Sequence, residues 1–260
     1  MAPSMPARVI LPRFLALPFL ATLALASSGC SLFDLLEPET TLADLDPARA
    51  RVEVELGESP RVSLALVAKE GTCEAITDDI EAKVDDRPMD LFIRGGETPT
   101  KDGWVCGAPT FRKALAEENL GEGKTHFEVS DDTARIALDF EDLLAPRSLT
   151  PNHPQNKIDP GVDLSLAWSA PGDELDEEKL DVVFTYDDET LELPAPPEVS
   201  VVDGEIVVRI PQTSPAGPAT LRVDAEVHVA ATSCEGTPSC EATVKVSPTV
   251  ALEVTNGTVP

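Results

Sequence analysis

From Leu221 to Val229 every second residue is apolar (Leu221, Val223, Ala225, Val227, Val229), and between them stand Arg222, Asp224, Glu226 and His228. A period of two belongs to an extended strand with one buried and one wet face; a helix would scatter these side chains around its circumference. The same alternation recurs in shorter runs. Val52, Val54 and Leu56 precede a GESP turn, and Val62, Leu64 and Leu66 follow it. Ile80, Ala82 and Val84 face Met89, Leu91 and Ile93 across DDRP, and Phe127 and Val129 face Ile136, Leu138 and Phe140 across SDDT. Asp203-Gly204 stands between the apolar runs VSVV and EIVVRI. It is the strongest short hairpin signal in the chain, because a two-residue turn of this kind needs positive φ at both positions. Val162, Leu164, Leu166 and Trp168, then Val182, Phe184 and Tyr186, and finally Val244 and Val246 extend the pattern. The chain therefore reads as all-β. One segment, Thr110 to Leu120 (TFRKALAEENL), has helical propensity without an apolar face and is expected as loop or short helix.

A length of 260 residues allows one or two compact domains. Prolines number 24 against 15 glycines, which suits short strands separated by proline-marked loops. Residues 145–161 (APRSLTPNHPQNKIDPG) hold four of these prolines and no apolar periodicity, so they are expected to be a linker. On either side, residues 46–144 and 162–260 each carry about six or seven short strands at spacings of roughly 8–12 residues, the pattern of a β-sandwich. Two immunoglobulin-like β-sandwich domains are the expected fold. The likeness is architectural, since Trp168 and the cysteines do not follow the Cys, Trp, Cys order of true immunoglobulin domains.

Forty-seven acidic residues against 20 Lys and Arg give a net charge of -27, and no basic cluster exists to neutralise phosphates, so nucleic acid is excluded as a partner. The acids are spread in pairs, which reads as a solvated, self-repelling surface. Neither a GxSxG elbow nor an HExxH pair occurs. His126 and His228 fall in strand patterns and His153 in the linker, where structural imidazoles are expected. Gly121 to Thr125 (GEGKT) looks like the end of a phosphate-binding loop, but the position of that motif's first glycine holds Glu118, whose carboxylate repels phosphate. Asp85-Asp86, Asp131-Asp132 and Asp187-Asp188 lie in expected turns, where Asp is favoured for backbone reasons. Clustered oxygen ligands make such turns the place for weak calcium binding, although no DxDxDG loop is present. No cofactor, catalytic residue or dedicated metal site is expected.

Residues 1–29 contain no acid, carry Arg8 and Arg13, and continue as the apolar run Phe14 to Ala26 into Ser27-Ser28-Gly29-Cys30. This is the layout of a signal peptide, too short and too interrupted by Pro18 for a spanning helix. Its end resembles the lipobox of bacterial lipoprotein precursors. The resemblance implies cleavage before Cys30 and lipidation of its thiol, which anchors the chain to a membrane, and Ser31 behind it points to the outer membrane. Residues 30–45 are then expected as a tether.

Cys73, Cys106, Cys234 and Cys240 remain, an even number that in an exported chain reads as two disulfides. Cys234 and Cys240 flank the short segment EGTPS between two strand runs, so they are expected to pair with each other and Cys73 with Cys106. The functional expectation is a non-enzymatic, lipid-anchored protein of the bacterial cell envelope whose sandwiches meet another envelope protein or a glycan. The alternative is an accessory hydrolase or substrate-binding protein that uses a carboxylate pair in an acidic cleft.

Overall fold

The structure, a computed structural model, describes residues 40–256 apart from 46, 70–71, 102, 154–155, 171–172 and 187–198. Cys30, with the expected signal segment, and the Asp187-Asp188 pair lie outside the described residues.

The chain is all-β. Its first nine strands are β1 (Pro47–Leu56), β2 (Arg61–Ala68), β3 (Glu81–Val84), β4 (Arg87–Ile93), β5 (Gly96–Thr100), β6 (Gly103–Gly107), β7 (Thr110–Ala114), β8 (Lys124–Ser130) and β9 (Arg135–Glu141). There follow β10 (Leu149–Pro151), β11 (Lys157–Ile158), β12 (Asp163–Trp168), β13 (Glu174–Leu175) and β14 (Asp181–Tyr186). The last are β15 (Val199–Val202), β16 (Glu205–Arg209), β17 (Gly217–Glu235), β18 (Cys240–Val246) and β19 (Thr249–Val254).

The hairpins read from the alternation form in register. Val54 pairs with Val62, Ala82 with Met89 and Val129 with Ile136. Asp203 and Gly204 take φ of 53° and 83° between β15 and β16, as a two-residue turn demands. Thr110 to Leu120 departs from expectation. Thr110–Ala114 is strand β7, with only Glu117–Asn119 forming a short helical turn. Phe111, opposite Leu64 on β2 and Leu91 on β4, is 1% exposed, and that burial outweighs a local helical preference.

Two hydrophobic cores organise the strands into two immunoglobulin-like sandwiches. In the first, β18, β1, β2 and β7 face β3, β8 and β9, and Val52, Leu64, Phe111 and Val244 meet Val84, Phe127 and Leu138. Two strands change sheets and close its corners. β4 pairs with β3 through Arg87 to Met89 and with β7 through Asp90 to Ile93. β17 pairs with β18 through Ala225 to Ala230 and with β9 from Ala231 onward, with an irregularity in the new ladder between Ala231 and Ser233. In the second sandwich the sheet β10-β12-β16-β15 packs on β11-β19-β17-β14 around Leu164, Leu166, Ile206, Phe184, Leu221 and Leu252.

The cores do not divide where the proline-rich segment predicts. Residues of the first core run to Leu144 and return at Ala225 to Val246; those of the second run from Leu149 to Val223 and return at Val250 to Val254. The reason lies in β17. Its 19 residues are too long for one sandwich, so Ala219, Leu221 and Val223 enter the second core while Ala225 and Val227 on the same strand face enter the first. Leu221, Val223 and Val227 are each fully buried, and burial of such a side chain contributes about 1.5–3 kcal/mol. Trp168, Leu175 and Leu180 pack against both cores.

The expected linker is likewise structured. Leu149–Pro151 pairs with β12 and Lys157–Ile158 with β19, and Leu149, Ile158 and Arg147 are buried. At the other end, residues 40–45 are not a loose tether. Leu42 and Leu45 insert into the first core, and Thr40 bridges Ile76.

Candidate interaction surface

Two consecutive residues of β4 point outward. Leu91 pairs with Phe111 and Ile93 with Thr110, so Phe92 is the extra residue of a β-bulge. The bulge breaks the alternation that otherwise predicts Ile93 for the core. Phe92 is 55% and Ile93 41% exposed, with the Arg112 guanidinium 3.5 Å from the Phe92 ring centre.

The next element was hidden from pattern reading. β5 and β6 form a two-stranded sheet of their own, Gly96 opposite Gly107, Thr98 opposite Val105 and Pro99 opposite Trp104. A two-stranded ribbon outside both sheets has little to bury, and Trp104 and Val105 are 66% and 54% exposed. An isolated hairpin is marginal in water. Here its base is fastened covalently and by backbone bonds: Cys73 joins Cys106 with Cα atoms 5.4 Å apart, and the Gly96 N–H donates to the Glu74 carbonyl at 3.0 Å. At the turn into β5, Gly95 takes a φ of 91° close against the Glu74 carbonyl and the Pro109 ring, which leaves no room for a side chain. Ile93 packs at the hairpin's foot, its Cγ2 3.6 Å from where a Cβ on Gly107 would stand. The glycines bracketing GWVCG and the cysteine within it are the sequence signal that could have found this arm.

The second cysteine pair, Cys234 and Cys240, closes the turn between β17 and β18 with Cα atoms 6.0 Å apart.

In the acidic turns Asp131 and Asp85 spend their carboxylates on backbone N–H groups, within the turn or of a neighbouring segment. Asp131 accepts the Leu42 N–H at 2.6 Å through Oδ2, and the Thr133 N–H, Thr133 hydroxyl and Ala134 N–H at 2.7, 2.6 and 2.9 Å through Oδ1. Burial works against its charge, but these bonds outweigh it and hold the carboxyl at a pKa of about 2. The neighbouring hollow of about 700 Å³, lined by Thr41, Asp79, Glu81, Asp131 and Asp132, thus contains a carboxylate already saturated from within. Asp85 and Asp86 form the β3–β4 turn with φ of 45° and 64°, and Asp85 accepts the His126 N–H at 2.8 Å.

His126 Nδ1 lies 2.7 Å from Asp139, whose other oxygen meets Lys124 Nζ at 2.9 Å. Despite partial burial these bonds lower the Asp139 pKa. Lys124 and the buried Thr125 of the GEGKT run lie on strand β8 and not at a helix N-terminus, so the cradle of a phosphate loop is not formed. His228 lies 3.2 Å from Lys179 Nζ and 3.5 Å from the Thr243 hydroxyl, while His153 stands half-buried between β10 and β11.

On the outer face of β1, β18 and β17 the charges alternate. Arg51 bonds Glu241 at 2.9 Å, Lys245 bonds Glu53, and Lys179 meets Glu226 at 3.3 Å beside an open hollow of about 400 Å³. The arginine lowers the Glu241 pKa, and Glu53 raises that of Lys245. A second hollow, about 610 Å³, opens beside Glu58, Arg61, Asp224 and Lys245.

No family model matches the sequence, and no curated protein is significantly similar to it. Among solved structures, the titin Ig tandem A164-A165 aligns at 12% identity over 79% of this chain and 92% of that one, with a TM-score of 0.24. The titin domains Z1Z2 in complex with telethonin align at 13% identity over 81% and 95%, with a TM-score of 0.20. Three N-terminal domains of the bacteriophage RB49 highly immunogenic outer capsid protein align at 12% over 79% and 58%, with a TM-score of 0.26. Overlaps this loose add nothing to the strand pairings, from which the sandwich architecture is read directly.

Proposed function

We propose that this chain is a non-enzymatic lipoprotein of the bacterial cell envelope, exported by its N-terminal segment, lipidated at Cys30 and sited in the outer membrane, whose sandwiches meet another envelope protein or a glycan. The observation that carries the reading is the pairing of the cysteines. Cys73 with Cys106 and Cys234 with Cys240 account for every thiol after Cys30, as an oxidising compartment requires, and leave Cys30 alone at the end of the apolar run. Two or three acyl chains at that thiol hold a protein to a membrane durably, whereas one holds it only marginally.

The hydrolytic alternative needs a carboxyl held protonated to act as general acid. The described carboxylates with shifted pKa values, Glu128, Asp131, Asp139 and Glu241, are all lowered, each by hydrogen bonds to its charged form, which favours the binding role.

Replacement of Cys30 by Ala tests the anchor. The chain is expected to leave the membrane fraction or to accumulate uncut; a Cys30→Ala chain that stays in membranes at the normal mature mass rules lipidation out. Crosslinking in intact envelopes, followed by purification of the chain, then identifies the protein or glycan it meets.

A further inference from the structure

We infer that the arm formed by β5 and β6, with the bulge at Phe92 and Ile93 at its foot, dips into the surface of the bilayer that holds the Cys30 anchor. The inference rests on the proposed lipidation for its setting, and on three observations for its content.

The first is that the arm exposes a large apolar side chain on each face. Along β6 the side chains of Val105 and Trp104 leave opposite faces, and both are exposed; Ile93 extends the Val105 face at the foot. A flat partner covers one face of a ribbon. A fluid medium closes around both, and the boundary between lipid headgroups and acyl chains is where a Trp ring, apolar with one polar N–H, is most at home.

The second is where the chain emerges. The Thr40 N–H donates to the Ala75 carbonyl at 3.0 Å, and Ala75 bridges Gly95, the residue that opens the arm. Two strand spacings, roughly 10 Å, separate Thr40 from Gly95, and Pro99, the partner of Trp104, lies about another 13 Å along β5. Cys30 is ten residues before Thr40 and reaches at most about 36 Å from it. An anchored chain therefore holds this end of the first sandwich, and this arm, within reach of the bilayer surface.

The third is the polarity of the arm's other residues. Glu97 and Lys101 are exposed, and among the described residues the outer edges of β5 and β6 carry no strand partner. Neither survives in hydrocarbon, so the immersion is shallow, at the depth of an interfacial element. Contact of this kind depends on apolar area, not on charge, and a chain of net charge -27 has nothing to gain from an anionic surface.

The test uses the mature chain from Cys30 to Pro260 with both disulfides formed, so that Cys30 is its one free thiol. Coupled through Cys30 to a maleimide lipid in zwitterionic phosphatidylcholine vesicles whose acyl chains carry bromine, the chain and its Trp104→Tyr variant are compared by fluorescence. Trp168 is common to both, so the difference reports Trp104, and an exposed ring can be replaced without unfolding the chain. The expected result is loss of most of the Trp104 emission with a blue shift, unchanged by added salt, and weakened by the second variant Val105→Ser. Full Trp104 emission on the coupled vesicles overturns the inference. So does a blue shift that grows with protein concentration without vesicles, since a second copy then covers the arm. The coupling is chemical, so this outcome is independent of whether cells lipidate Cys30, which is read separately from the mass of the native chain.

Discussion

Arg147 and Asp173 form a bidentate ion pair inside the protein, Nε to Oδ2 and Nη2 to Oδ1 both at 3.1 Å, with side chains 1% and 6% exposed. The remaining guanidinium nitrogen, Nη1, donates to the carbonyls of Asp142, Leu143 and Ala145 at 3.0, 3.0 and 2.6 Å, and the Trp168 indole N–H donates to Asp173 at 2.8 Å. The pair ties the end of the first sandwich's β9 loop to the turn after β12 in the second. Arg147 stands near the start of the proline-rich stretch that sequence pattern reads as a linker, and Asp173 lies beyond its end.

Loss of one partner leaves the other charged, buried and short of hydrogen bonds, which costs about 3–5 kcal/mol. Arg147→Ala and Asp173→Ala are therefore expected to lower the urea midpoint strongly and by similar amounts. An Arg147→Met, Asp173→Leu double variant should recover much of the loss, because it removes both charges and fills the space. Near-additive losses in the double variant would mean that the carbonyl bonds of Arg147, not its pairing, carry the stability.

The shared strand sets the cooperativity. β17 supplies buried residues to both cores, Trp168, Leu175 and Leu180 touch both, and the described residues cluster as one compact unit. Unfolding of either sandwich withdraws half of β17 from the other. A single calorimetric transition is expected, with trypsin cutting at exposed Lys101 before it cuts after the buried Arg147. Two transitions, or early cleavage after Arg147, would mean that each sandwich stands alone.

The contrast between β17 and the proline-rich stretch marks how far this sequence is legible. Alternation reveals strands and hairpins because a strand's buried face is a local property, and the Leu221 to Val229 run appears in the structure residue for residue. It is silent on which sheet a strand joins, and nothing in that run marks the point between Val223 and Ala225 where one core ends and the other begins. Four prolines in 145–161 suggest an open linker, yet Leu149 and Ile158 find strand partners, and Arg147 its carboxylate, only through residues far away in sequence. The exposed arm is illegible for the opposite reason. A ribbon that exposes Trp104 and Val105 on opposite faces has no alternation to detect, and the bulge that turns Ile93 outward cannot be seen without β7 beside it.

Acid should loosen residues 40–45 before the rest of the first sandwich. Asp131 has an ordinary pKa of 3.8 and is held at about 2 in the folded chain, so its contribution is complete above about pH 4 and is lost as the pH falls through 2. Its bond to the Leu42 N–H is part of what holds that segment. Relative to its intrinsic rate at each pH, amide exchange at Leu42 is expected to accelerate between pH 4 and 2. Asp131→Asn should accelerate it at neutral pH and cost about 1 kcal/mol, as loss of charge-assisted bonds at a partly exposed site does. Unchanged exchange in that variant would mean that burial of Leu42 and Leu45 alone docks the segment.

The two disulfides should differ in what they support. Cys73 and Cys106 are 33 residues apart in sequence and Cys234 and Cys240 only 6. By loop-closure entropy the first contributes on the order of 3–4 kcal/mol and the second about 2. The first also carries the arm, whose strands bury almost nothing and are otherwise fastened by backbone bonds at Gly96. The Cys73→Ser, Cys106→Ser double variant is expected to keep the cores but free the arm, with exchange of the β5 and β6 amides rising far more than that of β8 and β9. Gly95→Ala should produce a milder form of the same change, since a side chain there collides with the Glu74 carbonyl and must push the arm's base away. Slow exchange in β5 and β6 after both cysteines are removed would show that the ribbon holds itself, and that the bridge serves only the unfolded chain.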